Sequence, residues 1–375
     1  MDALTKLSGD AQTFREKVWA HAIHIHRSDP SEFADLLSFD DVDRLLMSSG
    51  LRTPAVRLAR DGTVLPTSAY TRSSRIGGAP VTGLVDARKI LDLFNAGATV
   101  ILQGLHQYWP PAARLVAQLE QSLGHPCQVN AYLTPAGAQG FARHCDTHDV
   151  FVVQTYGDKQ WEVSDDGGTH QVLMQPGMCL YLPTGTPHSA RAQDDPSLHV
   201  TVGINRIMWS DVLARAVRQL LAAGTLDEPL PAGYHHDAGA FGRAVERRLA
   251  DLRDGLADLD AERLVAAETA RFSTSRGSLL DGSLLDRVRV ATIDDDTPVR
   301  RRAGSLLAVV PDGERLRVML GDRELSVPHR LQSPLGYLRD HPELTPSDLS
   351  PWLDPESRLV FVRRLVTEGL LEVAR

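Results

Sequence analysis

The sequence predicts a mixed α+β protein: a barrel of short strands, then a helical region, then a small winged-helix-like domain. Three observations carry this expectation. Between about Cys127 and Met208, β-rich runs recur with turn residues between them, the pattern of a sandwich or barrel. After Trp209 the strands stop and helical spacing takes over. From about Asp294, a short hairpin is mixed with further helices. The expected boundaries are 1–208, 209–293 and 294–375. A chain of 375 residues has room for two or three domains at roughly 100–200 residues each.

Composition narrows the class. Hydrophobic residues make up 42% and charged residues 23%, which excludes disorder as the main state and excludes a fibrous repeat. No apolar run reaches the roughly 18 residues that a membrane-spanning helix needs. The N-terminus MDALTKLSGDAQTFREKVW lacks the apolar core of a signal peptide, so a cytoplasmic protein is expected. Cys127, Cys145 and Cys179 are too few and too scattered for a disulfide framework or a four-cysteine zinc site. A net charge of −8 disfavours nonspecific binding to nucleic acid. Only Lys6, Lys17, Lys89 and Lys159 are lysines, against 36 arginines, so a lysine in an apolar setting needs a reason.

The elements follow in order. Ser31–Leu37 and Phe39–Met47 read as short helices, the second with Asp40 as N-cap. Val56–Leu58 and Thr63–Leu65 flank Asp61-Gly62, a hairpin signal. Ala87–Asn95 has helical spacing, and Thr99–Leu102 is β-rich. Pro110-Pro111 opens a helix that Gly124 closes. The barrel strands are expected at Gln128–Leu133, Val150–Thr155, Gln160–Val163, Gln171–Met174, Cys179–Leu182 and Leu198–Ile204. Helices are expected at Asp211–Ala223, Ala238–Leu256 and Asp260–Phe272. In the middle one, Phe241, Val245, Leu249, Leu252 and Leu256 recur at helical spacing and should be largely buried. Near the C-terminus, Leu306–Val310 and Leu316–Leu320 alternate around Asp312-Gly313. Leu335–Asp340, Thr345–Leu349 and Glu356–Glu368 read as helices, and Leu370–Val373 as a terminal strand or an extension of the last helix. Residues 300–375 hold 12 arginines and 11 acids, a balance unlike that of a DNA-binding module.

The informative segment is His144-Cys145-Asp146. On a strand, side chains two apart share a face, so one imidazole and one carboxylate enter the barrel together. His188, from a later strand, completes two histidines and one carboxylate, a facial set suited to non-haem Fe(II) and oxygen chemistry. An isolated His-x-Asp is common. Here the stretch Gly177-(x5)-Pro183-x-Gly185-x2-His188 delivers the second histidine from between tight turns. Cys145 should point away from the metal as a buried apolar filler. His148 is expected on the same strand as His144, on the substrate side, and His199 as a packed barrel histidine. His24 and His26 have no third ligand nearby in sequence, and His235-His236 reads as a polar loop.

The Gly177–His188 spacing is that of the second cupin motif, and the chain resembles a JmjC-type cupin oxygenase of the ribosomal oxygenase subgroup. The similarity extends to Asn130-Ala-Tyr132-Leu-Thr134-Pro135, to Gln139–His144, to Asp149–Gln154 and to Gly157-Asp158-Lys159-Gln160-Trp161. It implies a double-stranded β-helix jelly roll, a helical dimerisation region and a winged-helix domain. It implies Fe(II), 2-oxoglutarate and O2 as cofactor and cosubstrates. It further implies His144, Asp146 and His188 as metal ligands, and Lys159 as the cation for the far carboxylate of 2-oxoglutarate. Tyr132 and Thr201 are further candidates at the cosubstrate, and Asn130, Tyr132 and His148 at the substrate. One departure stands out: Gly203 occupies a position where the family commonly has serine on the substrate side.

The resemblance therefore implies a homodimeric hydroxylase of a protein side chain, an arginine or histidine of a ribosomal protein. Other classes stay open at this point. One is a hydroxylase of a peptide or small natural product with the same metal site. Another is a regulatory protein that uses a cupin sensor and a winged helix on nucleic acid, which the balanced C-terminal charge disfavours. Histone-type demethylation is the poorest fit, since no aromatic cage for a methylated lysine is legible.

Overall fold

A computed structural model describes residues 2–222, 224 and 227–374. The first strands are β1 (His24–Arg27), β2 (Val56–Arg60), β3 (Thr63–Val64), β4 (Thr71–Ile76), β5 (Ala79–Val85) and β6 (Thr99–Leu102). The barrel proper continues with β7 (Cys127–Thr134), β8 (Asp149–Tyr156), β9 (Lys159–Asp165) and β10 (Gly168–Met174), then β11 (Met178–Leu182), β12 (His188–Ala192) and β13 (Ser197–Ile204). An eight-stranded sheet has the order β1-β11-β8-β13-β7-β6-β2-β3, and a three-stranded sheet the order β10-β9-β12. The chain passes repeatedly between the two sheets after β8, which is the expected double-stranded β-helix. β4 and β5 form a separate hairpin.

Alternation explains the layers. In β7, Val129, Ala131 and Leu133 point outward and join Phe151, Val153, Val200 and Val202 in one core, which the helix Pro110–Leu123 covers with Leu115, Val116 and Leu119. Val150 and Val152 of β8 point the other way and meet Leu180, Leu182, Trp161, Val163 and Met174 between the sheets. β8 and β13 are thus buried on both faces; β8 carries the apolar run Val150–Val153, whereas β13 alternates Leu198, Val200, Val202 and Ile204 with His199, Thr201 and Gly203. Each fully buried Val or Leu contributes roughly 1.5–3 kcal/mol.

Local signals account for the ends. Gly124 closes the helix Pro110–Leu123 with a left-handed φ of 73°. Asp61 and Gly62 have φ of 51° and 78°, the geometry of the tightest hairpin turn. Three expectations are corrected. The helix Phe39–Ser48 is capped by Ser38, whose hydroxyl accepts from the Asp41 amide while the Asp41 carboxylate accepts from the Ser38 amide. Asp40 therefore lies within the helix. Ser31–Leu37 and Thr345–Leu349 are not α-helices; each place holds one tight turn of 3-10 helix, Pro30–Phe33 and Pro346–Leu349. A proline at the start of each and too few residues to propagate hydrogen bonds explain this.

Two compact units divide the chain: Met1–Arg206 with Gly277–Leu306 and Arg330–Arg375, and Ile207–Arg276 with Leu307–His329. The second holds the helices Trp209–Ala222, Ala238–Ala257 and Ala261–Thr274, with a meander of Ala308–Asp312, Arg315–Met319 and Glu324–Pro328. Ala223, the expected end of the first of these helices, lies outside the described residues. The expected burial of the apolar stripe fails in the single chain: Val245, Leu249 and Leu256 are exposed, Leu249 by 59%. In the first unit, Val299–Arg301 pairs with both Glu343–Leu344 and Leu371–Val373, beside the helices Gln332–Asp340 and Pro355–Thr367. No helix among the described residues is long and apolar enough to cross a membrane.

Candidate functional site

His144, Asp146 and His188 converge, with one donor atom from each lying within 4.8 Å of the others. The Nε2 atoms of His144 and His188 lie 3.9 and 3.7 Å from the two carboxylate oxygens of Asp146. Each imidazole donates its Nδ1–H to a backbone carbonyl, His144 to Ala142 at 2.9 Å and His188 to Thr186 at 3.0 Å. Those acceptors assign the tautomer and leave both Nε2 lone pairs facing the carboxylate. Burial holds His188 below the usual imidazole range, which favours the neutral, ligating form. The His188 side chain is buried, whereas those of His144 and Asp146 are partly open to solvent. Two nitrogens and one oxygen on one side of an accessible point suit a divalent transition metal with open positions.

The route to this convergence differs from the expected one. His144 and Asp146 are not on a strand. They sit in the irregular segment between β7 and β8, which Pro135 and Gly137, with φ of 67°, turn out of extension. Two backbone hydrogen bonds bridge His144 to His188 at 3.0 and 2.9 Å, and the Gly185 amide donates to the Asp146 carbonyl at 3.0 Å. The loop is thus pinned to the residues that carry the second histidine. His148 likewise precedes β8 and is not on a strand with His144. Cys145 is exposed, so it is not a buried filler: a loop has no inner face to hide it against.

A cavity of about 240 Å³ runs inward from the three residues, and its walls include Tyr132, Phe141, Lys159, Trp161, His199 and Thr201. Lys159 is 2% exposed. Its ammonium donates to Thr134 Oγ1 at 2.8 Å and lies 3.5 Å from His199 Nδ1. Among the described residues, no carboxylate pairs with it. Burial pushes its pKa down to about 7. The same burial, reinforced by the Lys159 charge, holds His199 well below the usual imidazole range. Tyr132 stacks on His199 at 4.9 Å and 7°, and burial raises its phenol. A small cavity with a buried lysine that has no carboxylate partner among the described residues suits a small acid.

The remaining candidates separate. Thr201 lines the cavity. Asn130 is not among the lining residues; its side-chain oxygen accepts from the Gly104 amide at 3.0 Å. His148 lies against Gly203: a Cβ added to Gly203 would fall 2.6 Å from His148 Cδ2 and Nε2. Glycine at 203 is what lets that ring occupy its place. His24 and His26 are engaged elsewhere, with the Ser8 carbonyl and the Ser28 hydroxyl. Sequence reasoning missed Arg57 and Thr99 in the cavity wall, and quoted Trp161 and Thr134, the Lys159 partner, without giving either a role. Alternation marks Trp161 as inward, but nothing local marks Arg57.

The JmjC domain model matches residues 105–170 and 165–212. Ribosomal oxygenase 1 of Gallus gallus is 28% identical over 228 residues, covering 54% of this chain and 36% of that protein. The bifunctional lysine-specific demethylase and histidyl-hydroxylase NO66 of Branchiostoma floridae is 33% identical over 205 residues, 52% of this chain and 31% of that protein. The chain spans about a third of the length of these relatives. The crystal structure of the Escherichia coli ribosomal oxygenase YcfD aligns over 97% of this chain and 98% of its own, with a TM-score of 0.55 and 17% identity. A structure of YcfD in complex with cobalt and 2-oxoglutarate aligns over 96% and 97%, with the same TM-score and 18% identity. The two proteins share a fold along their whole length.

Proposed function

We propose that this chain is an Fe(II)- and 2-oxoglutarate-dependent oxygenase that hydroxylates a protein side chain, with an arginine or histidine of a ribosomal protein as the substrate class. One observation carries the reading: a facial His144-Asp146-His188 set shares one small cavity with buried Lys159, which has no carboxylate partner among the described residues. The names of the relatives support the substrate class, and the YcfD complex supports the cofactor pair.

The residues present fit the group. His144 and His188 would hold the metal through Nε2, and Asp146 through its carboxylate. When bound, iron supplies the oxidising chemistry in which 2-oxoglutarate and O2 yield succinate, CO2 and one hydroxyl on the substrate. Lys159 holds the far carboxylate of 2-oxoglutarate, which restores the ammonium that burial alone disfavours. Thr134 orients Lys159, and the stacked pair of Tyr132 and His199 walls the acid in. Tyr132 and Thr201 are the further cosubstrate contacts. On the substrate side, Asn130, Tyr132 and His148 are the candidate contacts to the polypeptide. The apolar inner residues, Val150, Val152 and Trp161, exclude water from the reacting atoms.

Three further assignments belong to this reading. The chain divides into a catalytic domain of residues 1–208, a helical dimerisation region of 209–293 and a winged-helix-like domain of 294–375; the change of element type at Trp209 and the return of strands at Val299 support it. It acts as a twofold dimer, because exposed Val245, Leu249 and Leu256 form an apolar stripe that water disfavours. It works in the cytoplasm without sequence-specific DNA. In the helix Pro355–Thr367, Arg358 pairs with Asp295, Arg363 donates to the Ile293 carbonyl and Arg364 pairs with Glu368, which leaves that helix without an uncommitted basic face.

The test is turnover. Purified protein with Fe(II), 2-oxoglutarate and ribosomal-protein fragments should release succinate and give a product heavier by one oxygen atom in intact-mass spectra. Succinate release that no protein or peptide stimulates would count against a polypeptide substrate.

A further inference from the structure

We propose that Arg57 is a specificity-determining residue that pairs with a carboxylate of the substrate beside the metal site; this rests on the oxygenase reading above. Arg57 lies on β2, outside the region that the domain model matches. Strand register nevertheless carries it to the site. Arg57 pairs with Ile101, Ile101 with Tyr132, and Tyr132 with His199. Partners directly across a ladder share a face, so Arg57 stands on the inner face in the same row as Tyr132 and His199. It lines the cavity with the three candidate ligands. Its guanidinium carbon is 5.7 Å from the Phe141 ring, and that ring is 5.7 Å from the His144 ring and 6.1 Å from Tyr132.

Among the described residues this guanidinium has no counterion. Its Nε is buried without a hydrogen-bond partner, and among the described residues no carboxylate pairs with it. Asp146 is the one acid among the residues lining the cavity, and it faces the two histidines. With a divalent metal in place, the formal charges of metal, Asp146, Lys159 and Arg57 leave three positive charges. The 2-oxoglutarate dianion cancels two. The remaining one calls for an anion from the substrate. The two cations also differ in kind. Lys159 is a compact charge on β9, tied to Thr134, which suits a small acid. Arg57 offers a planar fork that grips a carboxylate through two bonds. The occupant is therefore a peptide carboxylate, either an Asp or Glu side chain near the hydroxylated residue or a free C-terminus.

The test uses the full chain loaded with cobalt and 2-oxoglutarate, and a positional-scanning peptide panel in free-acid and amidated forms. Wild type should bind peptides with Asp or Glu at one position, or with a free C-terminus, about tenfold or more tighter than the neutral counterparts, as one charge-assisted pair implies. Persistence in amidated peptides assigns a side chain, and loss on amidation assigns the terminus. Arg57→Gln should erase the preference and Arg57→Glu reverse it toward Lys. Calorimetry of 2-oxoglutarate on the same cobalt-loaded variants shows that they fold, and it should change less than about twofold for Arg57→Gln but more than tenfold for Lys159→Ala. Failure of wild type to bind cobalt or 2-oxoglutarate would sink the oxygenase reading itself. Normal cobalt and 2-oxoglutarate binding with no acidic preference, or with a preference that Arg57→Glu leaves unchanged, would overturn the role of Arg57 alone. So would loss of 2-oxoglutarate binding in Arg57→Gln.

Discussion

His144 and His188, 44 positions apart in sequence, exchange two backbone hydrogen bonds of 3.0 and 2.9 Å, and their rings lie 4.4 Å apart. The same contact that closes the loop onto the barrel therefore sets the spacing of the two candidate ligands. Placement through the backbone fixes both imidazoles by the same pair of hydrogen bonds, the kind of preorganisation that a geometry-selective site requires.

Metal binding should follow that triad. His144→Ala and His188→Ala are each expected to weaken cobalt affinity by on the order of 100-fold or more, since loss of even an outer partner of a ligand costs 10–100-fold. His170→Ala should change nothing, because its ring is paired with Asp165 on the β9–β10 hairpin. Cobalt absorption spectra on the three variants decide the matter; equal affinities would remove the triad from the metal site.

Lys159 makes a pH-dependent prediction. Burial lowers its pKa from 10.5 to about 7, so in the ligand-free fold the amine is protonated below about pH 7 and neutral above it. The full cost of burying the charge, on the order of 5 kcal/mol, is present below pH 7 and disappears as pH rises toward 10.5. Lys159→Met should therefore raise the melting temperature of the ligand-free protein at pH 6, with the gain shrinking toward pH 10. It should also abolish stabilisation by 2-oxoglutarate. Calorimetric melting across that range, with and without 2-oxoglutarate, checks both signs.

Gly203 and His148 should be coupled. A side chain at 203 would collide with the His148 ring, and overpacking of this kind costs typically 1–3 kcal/mol. Gly203→Ser is expected to leave cobalt and 2-oxoglutarate affinities within about twofold while lowering turnover of the polypeptide substrate. Adding His148→Ala should return the lost stability. A double-mutant cycle on melting temperature measures the coupling, and additive effects would mean that the two residues do not meet.

The exposed stripe predicts the assembly state. Leu249→Glu, at the most exposed position of the stripe, should raise the dimer dissociation constant by about tenfold or more without altering cobalt binding. Sedimentation equilibrium at micromolar protein provides the measurement. A wild-type monomer would leave Val245, Leu249 and Leu256 without the proposed cover.

Some elements were legible because their signals are local. The helix Pro110–Leu123 carries proline at its start and Gly124 at its end, and its expected bounds match those observed. β8 announces itself as the apolar run Val150–Val153, and β13 as an alternation of Leu198, Val200, Val202 and Ile204 with other residues. The hairpin of β4 and β5 escaped because its residues are largely exposed, so no alternation is written into Thr71–Ile76. β12 was expected only as the later strand that delivers His188, without bounds, because His188–Ala192 is short and bears small and charged residues.

What the sequence determined by itself was the set of donor types, the turns that deliver His188, and the one lysine whose setting was unusual. These depend on neighbours along the chain. The tertiary structure decided three other things. It replaced the expected strand at His144-x-Asp146 with a loop pinned to His188 by backbone bonds. It set the pKa of Lys159, because desolvation depends on every wall of the cavity and not on residues 158 and 160. It also placed Arg57 in one row with Tyr132 and His199, although 75 and 142 positions separate it from them. Register between strands is fixed by hydrogen bonds across the sheet, and a one-residue slip would turn that guanidinium to the opposite face; no spacing along the chain encodes that choice.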